Sequence, residues 1–229
     1  MEAHDTKLEM PSDGGATGLI TAPFAPGESP FHIKGNGYRG HAEYVQEHIP
    51  GGMAAQREAL VRIDPERGPA WADYLEQTFM ASSWYDLYPM AMGGLACARV
   101  LQIPYLDFVY QRAAVQAALD IKGIHKFLLK FVSPKAIALR VPRLVSQYFD
   151  FLGIETKPEG DGAVSTVVEG LPVELAPWWV AMSSAYVTQG VVISGSPAPT
   201  VEAGPYVASG VRDGVQLCTA HVRIEFPSG

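Results

Sequence analysis

Charge is scarce in this chain and cysteine scarcer. Only 18% of the 229 residues are Asp, Glu, Lys or Arg, and the formal net charge is −7. Neutralising phosphates takes clustered Lys and Arg, so this balance argues against nucleic acid as a partner. The two cysteines, Cys97 and Cys218, are too few for a secreted disulfide scaffold and read as buried free thiols in a reducing compartment. No uncharged apolar run approaches the roughly 20 residues of a spanning helix, so no membrane span is expected. The start Met1-Glu2-Ala3-His4-Asp5 has no basic region leading into an apolar run, as a secretory signal requires. A cytoplasmic protein is therefore expected. Complete catalytic strings are also missing. Gly35-Asn36-Gly37 lacks the Gly-Lys-Ser/Thr ending of a phosphate loop, Ser194-Gly195-Ser196 lacks the spacing of a nucleophile elbow, and His-Glu-x-x-His does not occur. Large apolar side chains are sparse in residues 1–29, a stretch rich in Gly, Pro, Ser, Thr and Asp. Such a stretch cannot offset its own ordering entropy, so a flexible N-terminal tail is expected, or an arm that orders only on a protein partner. A single domain over residues 30–229 follows it.

What the chain does have is apolar material, 48% of its residues, arranged in two rhythms. From about Trp71 to Tyr148 the apolar positions recur at helical spacing, and from about Ile154 to Phe226 they alternate in short runs between Gly, Pro and Asp. Helices first and an antiparallel sheet later define an α+β fold, a helical layer packed on a C-terminal sheet with one inserted helix. Before that centre, Phe31-His32-Ile33 reads as a short extended piece, and helices are expected over Tyr38–Ile49 and Met53–Ile63. Ser82 or Ser83 is placed to cap a helix carrying Trp84 to Met92, which Pro89 and Gly93-Gly94 should kink or split. Pro104 suits the first turn of a helix reaching Ile121, in which Arg112, Gln116 and Asp120 belong to a narrow polar stripe on an otherwise apolar surface. Ile124, Phe127, Leu128 and Phe131 repeat helically, and Ser133-Pro134 starts another helix reaching Tyr148 or Phe149. Strands are expected over Ala163–Glu169, Val191–Ser194, Thr200–Ser209 and Val215–Phe226, with a helix over Pro172–Gln189 and a hairpin at Arg212-Asp213-Gly214. In the last strand Cys218, Ala220, Val222 and Ile224 share one face.

Several residues qualify for a binding site. Trp84, Tyr85, Tyr88, Met90 and Met92 gather rings and thioethers that suit an apolar guest, and equally suit core packing. Trp178 and Trp179 project about 100° apart on a helix, so only one should face the sheet squarely and the other should lie at a pocket mouth or an interface. His125, between apolar neighbours, fits an axial ligand or a hydrogen bond to a guest, or a satisfied structural histidine. His41 and His48 lack the third ligand a metal site needs, and no metal is expected. Arg140 and Arg143, one turn apart with Gln147, Tyr148 and Asp150 beyond them, are placed to hold a ligand carboxylate or to form an exposed face.

The stretch Ser82-Ser83-Trp84-Tyr85, then Ser133-Pro134 and Val141-Pro142-Arg143-Leu144 through Gln147-Tyr148-Phe149-Asp150, resembles an uncharacterised family abundant in myxobacteria. That family is related to the vinyl-reductase-like small-molecule-binding domain and through it to TRAPP subunits and haem nitric-oxide-binding sensors. The resemblance implies a compact fold that buries a hydrophobic ligand and often dimerises. The haem-binding branch grips propionates with Tyr-x-Ser-x-Arg, which does not occur here, so no cofactor is expected and haem is a lower alternative. The Cys-rich C-terminal segment of vinyl-reductase-like domains is represented only by Cys218. The expectation is a non-catalytic sensory domain that binds a hydrophobic small molecule at Trp84, Tyr85, Tyr88, Met92, His125, Arg140, Arg143, Tyr148, Trp178 and Trp179, acting through a homodimer or a partner. Its alternatives are a filled, self-associating structural protein and, lower, a gas sensor or an enzyme in the same pocket.

Overall fold

The computed structural model describes residues 6–120, 133–160 and 162–227, and it omits the side chains of 141–144 and 146 as well. His125, the expected helix end at Ile121 and the repeat from Ile124 to Phe131 lie outside the described residues, as does the side chain of Arg143.

The architecture is α+β. The strands are β1 (Lys7–Leu8), β2 (His32–Lys34), β3 (Trp84–Asp86), β4 (Gly153–Glu159), β5 (Ala163–Pro172), β6 (Thr200–Arg212) and β7 (Val215–Glu225). The helices are α1 (Ala16–Thr21), α2 (Gly35–His48), α3 (Gly52–Ile63), α4 (Gly68–Leu75), α5 (Tyr88–Leu101), α6 (Tyr105–Asp120), α7 (Pro134–Ser146) and α8 (Ala176–Ile193). A five-stranded antiparallel sheet has the order β1-β6-β7-β5-β4, and β2 and β3 form a separate pair. Alternation sets the sheet's faces: Cys218, Ala220, Val222 and Ile224 are buried, while Arg223 on the opposite face pairs with Glu159 at 2.9 Å. The β6–β7 hairpin closes through Asp213 (φ 49°) and Gly214 (φ 81°). Two successive positive φ angles make the turn whose twist matches the flanking strands.

Two helices run through the interior. α8 carries no charged residue because it lies between α6 on one side and the sheet on the other, so it has no solvated face to make polar. In α5 every residue from Tyr88 to Ala98 is buried, with α3, α4 and α6 packed round it. α7 starts where Ser133-Pro134 signals it, Ser133 Oγ accepting the Ala136 N–H at 3.3 Å.

Four expectations change. Residues 6–29 are part of the fold: β1 pairs with β6, α1 packs on α5, and Leu19 is fully buried. The Asp86 carboxylate accepts the Gly27 N–H at 2.8 Å and the Tyr88 N–H at 2.9 Å, tying the end of this arm to the start of α5. Trp84–Asp86 is a strand, not helix, because it pairs with His32–Lys34. Pro89 then falls in the first turn of α5 rather than inside it, where its missing N–H costs nothing. Gly93-Gly94 does not split α5: a Cβ at Gly93 would stand 2.9 Å from Gln56 Nε2 and 2.9 Å from Leu75 Cδ1, so glycine there lets three helices close up. Finally, Val191–Ile193 continues α8 instead of forming a strand. Val191 is fully buried while Val192 is exposed, so the stretch keeps the helical turn of α8 over its strand preference.

Candidate functional site

The most unusual side chain in the interior is a cation. Arg112 lies mid-way along α6, only 8% exposed, one turn before Gln116 and two before Asp120 on the same helix face. Its Nη2 donates to the Gly37 carbonyl at 2.8 Å, and its Nε–H has no acceptor. Burial pulls its pKa down, opposed by the nearby Tyr186 and Asp120. Asp120 is not within ion-pairing distance of Arg112 among the described contacts. Its oxygens accept instead from Gln116 Nε2 at 2.8 Å and the Tyr186 hydroxyl at 2.9 Å.

Arg112, Gln116 and Asp120 form one wall of a cleft of about 40 Å³. Ile33 and Asn36 close it from the start of α2, Val145, Tyr148 and Phe149 from the end of α7, and Trp178, Met182 and Tyr186 from α8. The cleft therefore lies between α2 and α6 on one side and α7 and α8, the helices packed on the sheet, on the other. Its deeper walls are apolar, with Trp178 edge-on to Phe149 at 6.2 Å between centroids. The half-exposed Tyr148 lies with Asn36 in the lining, at the rim.

Behind Arg112 is a void of about 10 Å³, touching His41, Met90, Phe108 and Met182, the size of one water. His41 is buried, its Nε2 accepting from Gln56 Nε2 at 2.8 Å. The same amide nitrogen reaches the Gly93 carbonyl at 3.1 Å and Cys97 Sγ at 3.2 Å. Burial, and secondarily Arg112, depress the His41 pKa from 6.5 to about 3, so the imidazole is neutral. Burial pushes the Cys97 thiol up to about 12, so it stays protonated and is no nucleophile at neutral pH. Arg112 is left as the charged member of this cluster.

The cleft brings together two of the expected residues, Tyr148 and Trp178. Both tryptophans of α8 are buried, Trp178 at 4% and Trp179 at 2% exposed, because layers cover the helix on both sides; Trp179 faces the sheet beside Thr166, Val222 and Ile224. The wall expected from Trp84, Tyr85, Tyr88 and Met92 does not assemble. Trp84 is exposed with Lys34 Nζ 3.6 Å over its ring, and Tyr85 packs edge-on to Phe79 at 4.8 Å. Met92 is fully buried in the core, and Tyr88 is buried with its hydroxyl donating to Glu174 at 2.6 Å. Arg140 is exposed on α7, so the buried arginine of this site is Arg112. The signal for Arg112 was its place in a polar row on an otherwise apolar helix. Met182, Phe149 and Tyr186 had no signal that tertiary packing did not supply.

A larger groove, about 450 Å³, runs between the arm residues Ser12–Gly14 and the α5–α6 corner at Arg99, Ile103 and Leu106. It is open to solvent, and its Asp13 is already engaged by Thr17 and the Gly15 N–H. Among the described residues no group of three His, Cys, Asp or Glu could hold a metal ion, and no helix is long and apolar enough to cross a membrane.

No protein-family model matches the sequence, and no curated protein matches it. Solved structures do resemble it. An Fe(II) unliganded H-NOX protein from K. algicida superimposes with a TM-score of 0.56 at 8% identity, over 86% of this chain and 98% of that one. An oxygen-binding H-NOX domain related to soluble guanylate cyclases gives 0.56 at 11% identity, over 86% and 96%. A mutant of T. tengcongensis H-NOX gives 0.55 at 10%, over 86% and 98%. The chain thus has the α+β fold of the H-NOX domains.

Proposed function

We propose that this protein is a small-molecule-binding sensory domain that works without haem, its ligand seated in the Arg112 cleft. The observation that carries this reading is the cleft's position. Asn36 and Arg112 belong to α2 and α6, Ile33 to β2, Tyr148 to the loop after α7, and Trp178 and Met182 to α8. A guest there touches α2 and α6 as well as α8, the helix between α6 and the sheet, and biases their packing, which is what a sensor needs. The H-NOX fold adds support by analogy alone. The kinship with the uncharacterised myxobacterial family, and with vinyl-reductase-like and TRAPP-like domains, belongs to the same reading. So does output through a homodimer or a protein partner, which sedimentation with and without ligand tests.

Haem enters because one solved structure with this fold is described through its haem redox potential and porphyrin distortion. The described residues do not fit it. A drug-sized ligand needs roughly 300 Å³ or more, whereas the interlayer cleft holds about 40 Å³ and is filled by Phe149, Trp178 and Met182. The buried donors among the described residues are poor too. His41 is held by Gln56, and the Cys97 and Cys218 thiols, pushed up to about 12, are not the thiolates that bind iron.

Two measurements test the reading. Protein expressed with haem precursor should show no Soret band; a stoichiometric band would overturn the haem-free assignment. A thermal-shift panel of small acids, amides, alcohols and aromatics should contain a stabilising ligand whose effect disappears when Met182→Trp fills the cleft. A flat panel, or an effect unchanged in that variant, counts against the site.

A further inference from the structure

We infer that the Arg112 cleft is a receptor for a small planar oxyanion, foremost a short-chain carboxylate, which supplies the acceptor the guanidinium lacks. This rests on the ligand-binding reading above and names its ligand class.

A buried guanidinium is costly unless its donors are paired and its charge is met. Arg112 spends one donor on the Gly37 carbonyl and leaves Nε–H without an acceptor. The groups facing it are His41 and Tyr44 from α2, Cys97 from α5, Tyr186 from α8 and Asp120 from α6. His41 is neutral, and the thiol and phenols are protonated because burial raises their pKa values. Asp120, the acidic one, lies at the exposed end of the row, where its oxygens accept from Gln116 and Tyr186 and not from the guanidinium. An orphaned buried donor beside a cavity points to a missing partner. A guanidinium matches a planar, two-oxygen anion in shape as well as charge.

Size and wall chemistry narrow the class. About 40 Å³ is room for roughly three waters, enough for formate, acetate or propionate. Val145, Phe149, Trp178 and Met182 offer an apolar surface opposite the cation, which suits a short alkyl tail. Nitrite and nitrate share the headgroup without the tail. Trp178 lies in the wall, so occupancy has an optical reporter.

The test uses the full-length protein and matched pairs: acetate against acetamide, propionate against propionamide, with nitrite and nitrate as a third arm, followed by Trp fluorescence and calorimetry. The acids are expected to bind at least about tenfold more tightly than their amides, the discrimination a charge-assisted hydrogen bond provides. Arg112→Met should abolish that preference. Tightest binding by the carboxylates assigns the biological source, and tighter nitrite or nitrate assigns an inorganic one; both support the site. Equal binding of acid and amide by the unaltered protein overturns the inference while leaving a ligand-binding cleft. No response to any acid, amide or inorganic ion overturns the inference, and silence from the alcohols and aromatics as well removes the ligand-binding reading. The acid–amide comparison needs no variant, so it stands even if Arg112→Met does not fold.

Discussion

His41 makes the stability of this protein acid-sensitive in a way that one substitution can isolate. In the folded protein its pKa is depressed from 6.5 to about 3, first by burial and then by the Arg112 charge. The unfolded chain takes up a proton near pH 6.5 that the folded chain refuses, so stability falls as pH drops below 6.5 and the loss levels off near pH 3. The slope is about 1.4 kcal/mol per pH unit. Acidification by about two units therefore removes about 3 kcal/mol, a large share of the roughly 5–15 kcal/mol that holds a domain folded. Asp13, whose pKa is lowered by hydrogen bonds from Thr17, and Asp64, where burial is outweighed by hydrogen bonds and charge from Arg67 so that the net shift is downward, also lose stabilisation as the pH falls. That contribution is common to wild type and variant, and cancels in the difference. His41→Gln keeps a neutral polar group beside Gln56 and removes the titration. Urea unfolding of both proteins from about pH 7 to about pH 4.5 should give a variant that is less stable at neutrality and closes the gap on acidification. Parallel curves would falsify the neutral, buried imidazole.

Two further substitutions test packing. Gly93→Ala should lower stability by about 1–3 kcal/mol, because its Cβ meets Gln56, Leu75 and His41 within 2.9 to 3.1 Å; calorimetry reads this as a Tm loss of several degrees, and an unchanged Tm would mean the helices are looser than described. Leu19→Ala should cost about 2–5 kcal/mol, since Leu19 is fully buried against the core. Limited proteolysis should then cut between Thr21 and Ser29 well before the rest of the chain, and a silent substitution would restore the view of this arm as a free tail.

How much of this was legible depended on whether the signal was local. The β7 alternation and the Asp213-Gly214 turn could be read directly, since one depends on a period of two and the other on two residues that tolerate positive φ. Ser133-Pro134 announced α7 for the same reason. The arm was misread because Leu19, Phe24 and a two-residue strand are too few to stand out, although Leu19 and the β6 edge make them fit. Residues Val191 to Ile193 look like a strand in isolation and are helical because they continue α8, with Val191 buried beneath the turn. At the site, the row Arg112-Gln116-Asp120 was visible as a polar stripe. That its first member, Arg112, is buried while Asp120 stays exposed was not, because it is α8, far along the chain, that covers Arg112.

The outermost rung of the sheet is borrowed from the arm: Lys7 and Leu8 lie against Val207 and Tyr206 of β6. Peeling the arm away bares the edge of a strand that spans Thr200–Arg212, a ready template for a strand from another molecule. Two copies that exchange arms would each mend the other's edge, a domain swap that forms no new surface. A truncation at this end would instead leave the template open to fibrous stacking.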